Sequence, residues 1–192
     1  MRKITFDIET SNIFSEVASN NARDLDLSVI CIHDSETGEY SSYKQEELSK
    51  LWPIMEKADM LITFNGDHFD IPLLDKYYPG DLTQIKSLDL LKEVRASLGR
   101  RIKLDTLAQA TLGSQKSGNG LDAVTWWRNG EYEKVIKYCI DDVKITKQIY
   151  EYARKNNSLK YLDLPSRNVK EFKLDASNWE EKEDHIMTHT LF

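Results

Sequence analysis

Cysteine is scarce in this chain. There are 2 in 192 residues, Cys31 and Cys139, both in apolar surroundings and neither in a CxxC pair. That excludes a disulfide-stapled scaffold and a cysteine-rich zinc site; it predicts two buried, reduced thiols and a cytoplasmic protein. Proline (4) and glycine (8) are also few, which excludes collagen-like and low-complexity compositions. Long apolar runs are missing. Val29-Ile30-Cys31-Ile32 is typical of the longest, whereas a membrane-spanning helix needs roughly 20 such residues. Asp7 and Glu9 break up the apolar character of the first ten residues, so neither a secretory leader nor a membrane partner is expected. Positive charge is in deficit, with 26 Lys and Arg against 32 Asp and Glu and a net charge of −6. A histone-like binder, whose grip is mostly phosphate neutralisation, is thereby excluded. An enzyme that gathers carboxylates around metal cations is not.

Hydrophobic residues make up 40% and charged residues 30% of the chain, an ordinary composition for a globular domain. The length suits one domain with a real core. We expect that domain over residues 1–174, followed by a polar tail at 175–192. Residues 3–8 alternate as a strand, with Ile4, Phe6 and Ile8 on one face. Residues 25–33 and 39–43 form a hairpin around Asp34-Ser35-Glu36-Thr37-Gly38. Helical spacing begins near Glu46 and meets Pro53, which predicts a kinked or split helix. A short strand at 60–64 ends in Asn65-Gly66. A helix is expected over 70–78, and a strand over 85–88. Helices over 90–98 and 104–112 each end on a glycine, Gly99 and Gly113. A Gly/Ser loop at 114–120, a helix at 121–128, a long helix at 131–155 and a hairpin of 160–164 with 169–174 complete the reading. Strands first, then strands alternating with helices, point to an α/β layered domain.

Three segments concentrate the chemistry. Asp7 and Glu9 lie two apart on a strand, so both point to the same face; without a cation between them such a pair is unfavourable. Asn65-Gly66-Asp67-His68-Phe69-Asp70 closes a strand and opens a helix. Tyr138 and Asp142 are spaced i, i+4 on a helix face shared with Ile145 and Ile149, so the carboxylate is directed inward and needs a partner or a metal. Asp141 is rotated away towards solvent. Each segment alone has an ordinary explanation: a solvated strand face, Asp70 as a helix N-cap, or an exposed Asp pair with Tyr138 as packing.

Together the three segments resemble the exonuclease motifs of the DEDDy family, a branch of the ribonuclease H-like superfamily. Phe6-Asp7-Ile8-Glu9-Thr10 is similar to the first motif, the 65–70 segment to the second, and Tyr138-Cys139-Ile140-Asp141-Asp142 to the third. The resemblance covers roughly residues 1–155. The stretch from Leu112-Gly113 to Trp126-Trp127 and the closing hairpin are most similar to YprB-type stand-alone exonuclease domains, a weaker likeness. The resemblance implies a three-layer ribonuclease H-like fold, with a central mixed sheet flanked by helices. It implies 3′→5′ hydrolysis of phosphodiester bonds at single-stranded DNA or RNA ends, releasing 5′-mononucleotides, with two divalent ions, Mg²⁺ or Mn²⁺, as cofactors. Asp7, Glu9, Asp70 and Asp142 would be the metal ligands, Asp7 bridging both ions, Glu9 and Asp142 on one and Asp70 on the other. Tyr138 would orient the attacking water, because a phenol of pKa about 10 is a poor base at neutral pH.

Substrate contacts are expected at Thr10, Asn65, Phe69 and Lys116, with His68 a weaker candidate. Residues 86–103 hold six cations against Asp89 and Glu93, which fits a phosphate-tracking surface or a solvated helix face equally well. Trp126 and Trp127 could stack on bases, but adjacent helix residues cannot both face one site. Two other readings are a non-catalytic nucleic-acid-binding module and a hydrolase of short oligonucleotides or dinucleotides. The full carboxylate set argues against the first. The acidic balance keeps the second open, although it is concentrated in the four acids and in residues 171–192, where six acids face two lysines.

Overall fold

The alternation in the first segment makes β1 (Lys3–Thr10), whose residues Ile4, Phe6 and Ile8 are all under 5% exposed. The structure, a computed structural model, describes residues 1–114, 120–163 and 165–181. A short helix α1 (Phe14–Val17) leads into β2 (Leu27–Asp34), and a turn with Gly38 at φ +76° joins it to β3 (Tyr40–Lys44). That positive φ is the left-handed region glycine enters at no steric cost. Next come α2 (Leu48–Met55), β4 (Met60–Thr63), α3 (Asp70–Asp75) and β5 (Lys86–Asp89). The chain continues through α4 (Leu90–Leu98), α5 (Leu104–Leu112), α6 (Gly120–Arg128) and α7 (Tyr132–Asn156). The hairpin β6 (Ser158–Asp163) with β7 (Asn168–Lys173) is the last of these elements.

The sheet has five strands in the order β3-β2-β1-β4-β5. β1 pairs antiparallel with β2 and parallel with β4, and β5 runs parallel to β4. The sheet is therefore mixed, as expected. Its two faces are covered separately. Ile4, Phe6, Ile8, Ile30 and Ile32 pack with Leu48, Leu51 and Met55 of α2 and with Ile71, Leu73 and Leu74 of α3. On the other face Val29 and Cys31 meet Val135, Cys139 and Val143 of α7. Met60 and Ile62 meet Leu107 of α5 and Ile145 and Ile149 of α7. Helix, sheet and helix make the three layers of an α/β fold. Among the described residues no helix is long and apolar enough to cross a membrane.

The expected split at Pro53 does not occur. α2 is one continuous helix that ends two residues after the proline. The ring costs only the hydrogen bond its missing N–H would have made near the helix end, where little helix remains to disrupt. α3 is shorter than expected and stops at Asp75. Gly99 and Gly113 do terminate α4 and α5 in the left-handed conformation, φ +75° and +72°. Cys31 and Cys139 are free and buried.

Residues 175–181, the start of the polar segment, run back over the body. Leu174, Ala176 and Trp179 are buried in the same core as α5 and α7. Trp179 stacks on Tyr150 with ring centroids 5.9 Å apart.

Candidate active site

Period-two geometry turns Asp7 and Glu9 away from Ile4, Phe6 and Ile8 and towards α7. The Cys139 thiol donates to the Asp7 backbone carbonyl at 3.3 Å, which seats α7 on β1. One turn further along, Asp142 comes down on the same spot. One carboxylate oxygen from each of Asp7, Glu9 and Asp142 lies within 4.8 Å of the others. Glu9 and Asp142 are buried and Asp7 is half-buried. At Glu9/Thr10 the β1–β2 register slips past Ser28, a bulge at the carboxyl end of the strand where the acids sit. Bulges recur where a side chain must be re-aimed.

Asp70 reaches this centre from the β4–α3 connection. It is not the N-cap of α3: Phe69 holds that position, and no side chain caps the helix. Instead the Ile8 backbone N–H donates to Asp70 Oδ1 at 3.0 Å. The carboxylate therefore ties α3 to β1 between Asp7 and Glu9. It stands outside the group of three whose oxygens meet. Burial pushes its pKa up to about 7, with the charges of Asp89 and Asp142 adding to the rise and the Ile8 hydrogen bond opposing it.

Tyr138 is 3% exposed and meets Trp126 edge-on at 6.0 Å. Burial first, then the charges of Asp142, Glu9, Asp7 and Asp105, drive its hydroxyl far above the ordinary phenol value. Burial and these charges favour the neutral phenol, which both donates and accepts hydrogen bonds. Asp141 sits on the neighbouring face and pairs with Lys144 at 3.2 Å, as its rotation on the helix predicts.

The turn after β4 depends on a residue that sequence reasoning passed over. Asn65 has φ +74°, and its N–H donates to Asp89 Oδ1 at 2.8 Å. The Asp67 N–H donates to the other oxygen of Asp89 at 3.3 Å. Asp89 also caps α4 through the Leu91 N–H at 2.9 Å. One buried carboxylate thus holds both the second motif and the next helix. Its position as an Asp directly before an apolar helix is the signal that could have marked it. Asp105, in the first turn of α5, is one of the charges that raise the Tyr138 hydroxyl.

Thr10 is buried and its hydroxyl donates to the Asn12 carbonyl at 2.8 Å. The Asn65 side-chain oxygen accepts from Arg101 at 2.6 Å. Phe69 meets Phe14 edge-on at 6.2 Å, and His68 is exposed. Lys116 lies outside the described residues. The two tryptophans do diverge, Trp126 towards Tyr138 and Trp127 towards Tyr132 at 4.6 Å.

Three oxygen-donor side chains within ligand distance of one another suit a hard divalent cation such as Mg²⁺ or Mn²⁺. Fold and site together define an α/β domain with a carboxylate centre at the carboxyl end of its central strand. The family model described as the RNase H superfamily matches residues 4–154, and the chain belongs to that superfamily. No curated protein matches the chain. Among solved structures, the family B DNA polymerase from the hyperthermophilic archaeon Pyrobaculum calidifontis is similar, with a TM-score of 0.62 and 16% identity. The similarity covers 80% of this chain but 24% of the polymerase, so the chain matches about a quarter of that protein.

Proposed function

We propose that the protein is a metal-dependent 3′→5′ exonuclease of the DEDDy type, acting on single-stranded ends of DNA or RNA. The observation that carries this reading is the meeting of Asp7, Glu9 and Asp142, with Tyr138 one helical turn before Asp142. The superfamily and the likeness to a DNA polymerase support a nuclease acting on nucleic acid.

Asp7, Glu9 and Asp142 would hold one divalent ion, and Asp70, with Asp7 shared, would hold a second. When bound, such a pair supplies Lewis acidity to the phosphodiester and to the attacking water. The protein's own part is positional. Asp7 and Glu9 are fixed by the β1 ladder, Asp142 by the α7–sheet packing and Asp70 by the Ile8 N–H. The neutral Tyr138 hydroxyl orients the water in line with phosphorus. The water oxygen bonds to phosphorus as its proton is given up to solvent. The bond from phosphorus to the 3′-oxygen of the penultimate nucleotide breaks, that oxygen takes up a proton from solvent, and a 5′-mononucleotide is released.

The test is degradation of end-labelled single- and double-stranded DNA and RNA with Mn²⁺. Mononucleotides released from the 3′ end, lost in EDTA, are expected. Asp7→Asn and Asp142→Asn should each slow the reaction by roughly 10²–10³-fold, and Tyr138→Phe by roughly 10–100-fold through lost positioning. Cleavage undiminished by EDTA or by the Asp142 change refutes the reading. Preference for dinucleotides over longer strands would assign the site to short oligonucleotides, and Mn²⁺ binding without any cleavage would assign it to a binding module.

A further inference from the structure

The face of β1 that carries Asp7 and Glu9 also carries Thr5 and Lys3 nearer its start. Thr5 pairs across the ladder with His33 of β2. A cavity of about 610 Å³ opens there, lined by Lys3, His33, Lys147, Arg154, Lys155 and Glu180, among others. None of these groups belongs to the site described above.

His33 is 7% exposed. Its ring packs on Tyr40 at 4.7 Å, and it makes no side-chain hydrogen bond among the described residues. Burial, followed by the charge of Lys147, lowers its pKa below the ordinary imidazole value. A neutral ring offers one N–H and one lone pair. Four cations and two carboxylates, Glu151 and Glu180, line the cavity. Glu180 already takes Lys3 at 2.6 Å and Arg154 at 3.0 Å, and Glu151 takes Lys147. Lys155 is exposed and has no carboxylate partner among the described residues. Both acids are engaged while positive charge is left over, and a largely buried polar ring borders the space between.

We propose that this cavity is a second anion site, separate from the carboxylate centre, that takes a phosphate ester on Lys155 and the His33 N–H, with Lys147 exchanging its Glu151 partner for a phosphate oxygen. Charge-assisted hydrogen bonds from lysine to phosphate oxygen are the strong kind, and an imidazole N–H adds direction. Two sources carry the group: a free 5′-mononucleotide and the backbone of a polynucleotide. Only this choice of sources rests on the nuclease reading.

The experiment measures binding to the full chain in EDTA, by calorimetry and by the His33 imidazole resonances. Three probes are used: inorganic phosphate, a 5′-mononucleotide and a single-stranded oligonucleotide. Saturable binding that shifts His33 is expected. The double change Lys147→Ala, Lys155→Ala should weaken it by about tenfold or more with the circular dichroism spectrum unchanged, and Asp7→Asn should leave it intact. A tighter mononucleotide identifies the free nucleotide as the source; a tighter oligonucleotide identifies the backbone. No saturable binding of any probe, binding insensitive to the double change, or binding lost in Asp7→Asn overturns the site. A wild-type chain that cleaves nothing yet still binds phosphate at His33 would fail the nuclease reading and leave this one standing.

Discussion

Gly66 shows how a single residue decides the second motif. It follows Asn65 in the turn between β4 and α3. A Cβ at this position would sit well under 3.0 Å from the Thr63 side chain, and Thr63 is fully buried. Neither side can give way without moving Asn65 or Asp70. Gly66→Ala should cost about 1–3 kcal/mol, the usual range for overpacking, measured by urea denaturation. It should also slow nuclease turnover, because Asp70 rides on the same turn. Asp70 carries the same lesson: its aspartate looks like a helix cap in sequence, yet its oxygen goes to Ile8, 62 residues away.

At the level of elements, the site is an agreement between β1, α7, the turn that follows β4 and the junction of β5 with α4. β1 and α7 were legible beforehand. Period two places Asp7 and Glu9 on one face, and i, i+4 spacing places Tyr138 with Asp142. The clamp by Asp89 was not legible, because a cap residue advertises its helix but not the turn it also holds. Asp89→Ala removes the α4 cap and the acceptor for the Asn65 and Asp67 N–H groups. A loss of about 2 kcal/mol is expected, together with reduced nuclease activity. Denaturation and turnover on the same preparation check it; full activity at reduced stability would separate the clamp from the site.

For the whole molecule, residues 175–181 matter more than their polarity implies. Glu180 gathers Lys3 from β1, Tyr150 and Arg154 from α7, and Lys86 of β5 donates to the Glu181 carbonyl. The hydrogen bonds from Lys3 and Tyr150 hold the Glu180 carboxyl at about 2. A folded-state value below the unfolded one, about 4.3, gives stability that is complete above that pH and is lost as pH falls towards about 2. With Glu180 34% exposed in its side chain, solvent screening limits the effect to about 1 kcal/mol. Glu180→Gln should lower the melting temperature at pH 7 and converge with wild type near about pH 2.5. An unchanged melting temperature at pH 7 would show the segment to be held by Ala176, Trp179 and its backbone carbonyls rather than by the Glu180 charge.

The sequence by itself determined the elements and their faces: the α/β alternation, the apolar side of β1, the inward side of α7 and the glycine ends of α4 and α5. These are local matters, set by periodicity and by backbone conformations only some residues adopt. Tertiary structure decided what lies opposite what. It brought Asp7, Glu9 and Asp142 together, moved Asp70 from cap to tie, recruited Asp89, and buried Trp179 of a segment that reads as polar. Those outcomes depend on contacts between residues tens of positions apart, and partners at that distance leave no mark on the local pattern of either segment.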